Sequence, residues 1–189
     1  MKIQDVPNFI LPEFVPKSIW DRYRNHSTRF IDQRLPIIEQ ATKKRFGMRT
    51  VTINNWYWHK PHSNFTRLEE RGYRLPFTKT GAAKSAHKRG MAIDDSINGI
   101  TPQEAQLDVI KNWENFYKPL GVTVLEYGTP SWTHKAVEWT NSDELWVIDA
   151  TEFYGTYDSF PDLSDLKNSY PIRIIKLRPK RSESQLKGV

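Results

Sequence analysis

A single α+β domain, with a small, mainly antiparallel sheet packed by two helices, is what this 189-residue sequence predicts. Three observations carry that expectation. Two stretches repeat apolar residues at three-to-four spacing and carry helix-start and helix-stop residues. Several short runs rich in Val, Ile, Thr and Trp, bounded by Gly and Pro, have the length and composition of strands. Composition supplies the core: 38% of residues are hydrophobic, and 7 Trp, 8 Tyr and 9 Phe provide rings enough for one domain.

The elements follow in order. Pro7, Pro12 and Pro16 disfavour a helix or central strand at the start of the chain. Residues 1–20 therefore read as an extended Pro-rich arm, its Phe9, Ile10, Leu11, Phe14 and Val15 lying on the domain or on a partner. The domain proper is expected over 21–177, with a basic tail over 178–189. Helical spacing begins at Asp32, a capping residue, and continues through Leu35, Ile38, Ala41, Thr42 and Phe46. Gly47 stops it, after Lys43, Lys44 and Arg45 in the last turn. Residues 51–53 read as a short strand. Residues 54–86 show no periodicity and are rich in Asn, His, Arg and Gly, so they form a long loop of the kind that carries function. Within it, Trp56-Tyr57-Trp58 reads as core packing and His59 and His62 as solvent-facing.

Residues 91–94 are the next strand. Thr101-Pro102-Gln103-Glu104 is a helix start, with Thr as cap, Pro in the first turn and Glu three residues after the cap. Ile110, Trp113, Phe116 and Tyr117 continue that helix until Pro119 and Gly121. Strands are expected at 122–126, 132–139, 145–148 and 172–177. On the second of these, Trp132, His134, Ala136 and Glu138 share one face, with Thr133, Lys135, Val137 and Trp139 on the other.

Composition also excludes classes. Mean hydropathy of −0.68 with 26% charged residues suits a soluble globular chain, disorder is a poor fit because so many large rings need burial, and no run approaches a membrane span. Zero Cys excludes a disulfide scaffold or thiolate metal site. Residues 1–5 show no secretory signal pattern. A net charge of +6 suits association with anionic polymers, nucleic acid, acidic lipid or cell wall among them. The one dense cluster, Lys176, Arg178, Lys180 and Arg181, lacks interleaved aromatics or a recognition helix, which argues against nucleic acid as the partner.

The chemistry concentrates in Ser85-Ala86-His87-Lys88-Arg89-Gly90-Met91-Ala92-Ile93-Asp94, with His134 on a separate strand. Two imidazoles and one carboxylate form the donor set of a catalytic zinc site, in which three protein ligands leave a fourth position open. Gly90 lets the chain turn tightly after His87, and small Ala92 on the Asp94 face leaves room for an ion or substrate.

These residues resemble the Hedgehog/D-alanyl-D-alanine peptidase superfamily of zinc peptidases, which includes bacteriophage endolysin-type members. The pattern Ser-x-His-x-x-Gly-x-Ala-x-Asp is matched at Ser85, His87, Gly90, Ala92 and Asp94. Asn54-Asn55-Trp56 and Arg71-Gly72-Tyr73-Arg74 look like the segment preceding that motif, and Trp132-Thr133-His134 looks like the aromatic-x-His of the second motif. The resemblance spans about residues 30–140. It implies zinc bound by His87, Asp94 and His134, a catalytic-site arginine at Arg74 with Arg71 as competitor, and a bracing hydrogen bond from Ser85.

The sequence departs from that pattern where the general base belongs. Many members carry an acid three residues before the second His, here Ser131, and others carry Asp two residues after it, here Ala136. Glu126 on the preceding strand and Glu138 on the His134 face are the remaining candidates, and pairing of adjacent strands favours Glu126. Two functions follow as expectations. One is a zinc metallopeptidase, phage-encoded, cleaving peptidoglycan stem or cross-link peptides, present in the host cytoplasm before lysis or in a virion. The other is a degenerate peptidase fold serving as a structural virion component among phage protein subunits.

Overall fold

The computed structural model describes residues 2–3, 6–58, 67–140 and 142–177. His59, His62 and the tail 178–189, with Arg178, Lys180 and Arg181, lie outside the described residues. A two-stranded ribbon, β1 (Lys2–Ile3) against β2 (Val6–Ile10), leads through a tight turn to helix α1 (Lys17–Tyr23). Helix α2 (Arg34–Arg45) and strand β3 (Val51–Thr52) follow. After the long loop come β4 (Ala92–Ile97), α3 (Pro102–Lys111), β5 (Val124–Tyr127), β6 (Thr133–Ala136) and β7 (Leu145–Asp149). Short helices α4 (Thr151–Tyr154) and α5 (Leu163–Lys167) connect to β8 (Ile172–Lys176). Among the described residues, no helix is long and apolar enough to cross a membrane.

The class is α+β, but the main sheet is mixed, which corrects the expectation of a mainly antiparallel one. Its order is β3-β4-β6-β5-β7-β8, antiparallel from β3 to β5 and parallel for β5–β7 and β7–β8. Parallel neighbours need a crossover connection. The one joining β7 to β8 carries helices of only 4 and 5 residues, too short to print a helical period in the sequence.

Residues 6–20 do not form a free extended arm, although their apolar side chains lie on the domain as expected. Pro7 sits in a ribbon strand, Pro12 in a 3-10 turn and Pro16 at the N-cap of α1, each a position that needs no interior backbone donor. Phe9, Phe14 and Val15 are buried in the main core, and Phe9 meets Phe14 edge-on at 5.8 Å. Each such ring, fully buried, contributes about 1.5–3 kcal/mol. Trp56 joins this core, while Tyr57 and Trp58 are exposed, so only one ring of that triplet packs as expected.

The helix signals hold locally. Thr101 Oγ1 accepts from the Glu104 amide at 3.1 Å and Glu104 Oε2 accepts from the Thr101 amide at 2.7 Å, a complete capping box. That helix ends at Lys111, however, and Trp113–Tyr117 continue as a π turn. Asp32 accepts from the Arg34 amide at 2.9 Å just ahead of α2.

Strand alternation divides the central sheet into two faces. Ile93, Leu125 and Val147 point to the main core, whereas Ala92, Val124 and Ala136 form a small separate cluster on the other face with Ala86. Asp94, Glu126 and His134 share the face of that small cluster.

Candidate metal centre

The approach to the site begins with backbone stitching. Asn54 accepts the Arg71 amide through Oδ1 at 2.9 Å and donates from Nδ2 to the Val15 carbonyl at 3.3 Å. Asn55 Oδ1 accepts the Leu68 amide at 2.7 Å, and Trp56 Nε1 donates to Val15 O at 2.8 Å. The Asn-Asn-Trp segment thus ties residues 68–71 to the N-terminal segment. Gly72 then passes so close to Phe14 that a Cβ there would lie 2.2 Å from the Phe14 carbonyl oxygen. The Tyr73 amide donates to that carbonyl at 2.8 Å, and the Asp94 amide donates to Arg71 O at 2.7 Å.

His87 stands on a 3-10 turn, Ala86–Arg89, closed by Gly90 in the left-handed region at φ +69°. Glycine is required there twice over, because a Cβ would also meet Phe30 O at 1.9 Å. The His87 Nδ1–H donates to Gly72 O at 2.7 Å, which leaves Nε2 as an acceptor. That Nε2 lies 3.1 Å from Asp94 Oδ1 and 3.1 Å from His134 Nδ1, and the last two atoms are 2.7 Å apart. Asp94 and His134 come together because β4 and β6 pair them directly across the ladder. A hydrogen on His134 Nδ1 shared with Asp94 satisfies this geometry, and so would a metal ion in its place. His87, Asp94 and His134 therefore form a group that could hold a metal ion.

Electrostatics agree with that donor set. Burial pushes His87 below the ordinary imidazole value, keeping it neutral and able to ligate. Burial also works against ionised Asp94, but the two imidazoles hold its carboxyl well below the usual carboxylate range. For His134, burial opposes the charge and the hydrogen bond and charge of Asp94 overcome it, so its value is raised. Arg74 Nη2 donates to Asp94 Oδ2 at 2.6 Å, fixing the carboxylate from the side away from the imidazoles. A neutral His87, an ionised Asp94 and a His134 that would give up its proton to a bound cation, with Arg74 holding the carboxylate from outside, make a donor set that fits a metal ion such as zinc.

A cavity of about 790 Å³ opens beside the cluster, with Arg71, Arg74, Asp94, Trp132, Tyr154 and Pro16 in its wall. Arg71 donates to Ser96 Oγ at 2.6 Å and, among the described residues, makes no ion pair within 4.0 Å. Glu126 is half-buried and pairs directly opposite His134 across β5 and β6. Burial raises its carboxyl above the ordinary value against the opposing pull of His134, with the nearby Tyr154 a smaller lowering influence. Tyr154 itself is pushed up to about 12, by burial first and then by Glu126, so it stays a neutral donor.

Other sequence expectations fare differently. Glu138 forms an ion pair with Arg89 instead of joining the cluster. Ser131 is exposed and Ala136 lies in the small apolar cluster. The Ser85 hydroxyl makes no hydrogen bond among the described residues; its carbonyl accepts from the Lys88 amide at 3.0 Å. Tyr154 was not anticipated, because it comes from a stretch that carries no motif. Gln106 was also missed: from α3 it holds the turn before β6, donating to Thr129 Oγ1 at 2.6 Å and Trp132 O at 3.0 Å while accepting from the Gly128 amide at 2.8 Å. Its signal was present as a polar residue on the buried stripe of a helix. Compared with protein-family models, with curated proteins and with solved structures, this chain finds no match.

Proposed function

We propose that this chain is a zinc-dependent peptidase acting on the stem or cross-link peptides of peptidoglycan. The observation that carries the reading is the convergence of His87 Nε2, Asp94 Oδ1 and His134 Nδ1, with Glu126 on the adjoining strand opposite His134. Zinc held by these three residues supplies Lewis acidity toward a peptide carbonyl. Glu126 takes the proton from the attacking water and returns it to the departing amine. Its raised carboxyl suits both halves of that task. Arg74 is engaged with Asp94 and keeps the ligand oriented, while Arg71, half-buried in the cavity wall, offers its guanidinium to a carboxylate of the substrate. Trp132 and Tyr154, packed edge-on at 5.5 Å, form an apolar wall that limits water around the scissile bond.

The test is incubation of the purified protein with peptidoglycan, with and without added zinc, and mass analysis of the released fragments. New peptide termini that vanish with chelator and return with zinc are expected. No cleavage by protein shown to hold one zinc per chain would reject the peptidase reading.

A second reading follows from Ser131 and Ala136, neither of which is acidic where the resembling family carries its base. On that reading the fold is a structural virion component in which the metal centre serves stability alone. The same experiment separates the two, since zinc binding without cleavage is its expected result.

A further inference from the structure

Behind the metal cluster, on the reverse face of the same strands, lies a second group of charges. Lys135 Nζ is 2.8 Å from Glu39 Oε1 and 3.2 Å from Asp95 Oδ1, and it donates to Thr42 Oγ1 at 3.3 Å. The side chains are 1% exposed for Lys135 and 0% for both acids. Glu39 descends from α2, while Asp95 and Lys135 each follow a proposed ligand in sequence. A buried charge trio is seldom more stabilising than aliphatic residues of the same volume, so stability alone does not account for it.

Its placement does. Asp94 pairs with His134 and Ile93 with Lys135, so the Lys135–Asp95 contact is a diagonal one across the ladder. A slip of one residue would put Asp94 and His134 on opposite faces of the sheet. A slip of two would keep the faces but part those residues by about 7 Å. It would also carry Lys135 the same distance along β4, so that its contacts to Asp95 and to Glu39 could not both survive.

We propose that Glu39, Lys135 and Asp95 form a positioning network that holds β4 and β6 in the one register setting Asp94 against His134. This deepens the metal-centre reading and rests on it.

The test compares wild type with the triple variant Glu39→Gln, Asp95→Asn, Lys135→Met, which removes the charges at similar volume. Three measurements are made: zinc affinity by chelator competition, the visible spectrum of the Co²⁺-loaded protein, and metal-free amide exchange in β4 and β6. A folded variant with zinc affinity weakened about tenfold or more, an altered Co²⁺ spectrum and faster exchange in those strands is expected. Wild-type zinc affinity and an unchanged spectrum would overturn the proposal. If the triple variant does not fold, Asp95→Asn alone keeps the Glu39–Lys135 pair; a weaker but measurable loss of zinc affinity is then expected, and wild-type affinity overturns the proposal. If wild type itself binds no zinc, the metal reading fails and exchange decides. Faster exchange confined to β4 and β6 supports the network, and unchanged protection overturns it.

Discussion

Glu126 and His134 face each other as a directly opposed pair on antiparallel strands, with His134 also opposed to Asp94 on its other side. One imidazole thus stands in the middle of a three-strand rung that carries a carboxylate at either end. Asp94 is ionised and clamped by Arg74, whereas Glu126 is held above its ordinary carboxylate value by burial. Two acids of similar chemistry are driven apart in proton affinity by their surroundings, the condition under which one ligates and the other shuttles protons.

Glu126→Gln should abolish peptidoglycan cleavage and leave zinc content unchanged, measured by mass analysis of fragments and by metal analysis of the same sample. Because the base must be ionised and its value is raised, the wild-type rate should fall on acidification at a pH above 4.5, the ordinary carboxylate value. Continued cleavage by the Glu126→Gln variant would remove Glu126 from the mechanism.

His87→Ala, Asp94→Ala and His134→Ala should each lose stoichiometric zinc. Chelation of wild type should lower its melting temperature by roughly 5–10 °C if zinc had been present at about 100 times its dissociation constant. The three variants should melt at the same temperature with or without zinc. Retention of that zinc-dependent increment by any of them excludes the missing residue as a ligand.

The two arginines should separate kinetically. Arg74→Ala removes the outer clamp on Asp94 and should weaken zinc binding about 10–100-fold. Arg71→Ala should leave zinc affinity intact and raise KM. Identical effects on metal and substrate binding would show that the two guanidinium groups share one role.

Glu39 gives a pH signature in stability. Burial first, and then the charge of Asp95, raise its carboxyl to about 8. An acid whose folded value exceeds its unfolded value contributes stability fully below the unfolded value, near 4.5, and loses it as pH climbs to about 8. Urea denaturation should therefore show Glu39→Gln gaining on wild type between about pH 5 and about pH 8. Parallel pH profiles for the two proteins would contradict the raised proton affinity of this buried acid.

Helices α2 and α3, the strands of the central sheet and the His87, Asp94 and His134 group were legible because each is written locally, whereas α1, α4 and α5 were not foreseen. The Thr101–Glu104 box, the Gly90 turn and the alternation around His134 need only a few neighbouring residues to be read. The mixed sheet was not legible, since nothing within β7 or β8 states which neighbour it will join. Nor was the fate of the first 20 residues, where proline spacing suggested an extended arm although Phe9, Phe14 and Val15 belong to the core. The Glu39–Lys135–Asp95 trio spans residues from two strands and a helix, so only the folded chain brings it together. Its trace in sequence was the doublets Asp94-Asp95 and His134-Lys135, each presenting one polar residue to either face of a strand.

The tight passage of Gly72 between the Phe14 carbonyl and the His87 ring bears on where this domain can be cut. A fragment beginning at α2 would retain every ligand, the cap residues of α3 and the whole six-stranded sheet. It would nevertheless lose the wall against which Gly72 is pressed, and Gly72 supplies the carbonyl that sets the His87 tautomer. The span needed to aim the His87, Asp94 and His134 donor atoms is therefore longer than the span that carries them. Grafting the two motifs into a foreign scaffold, or trimming the chain to them for expression, would transfer the donor atoms without the backbone that aims them.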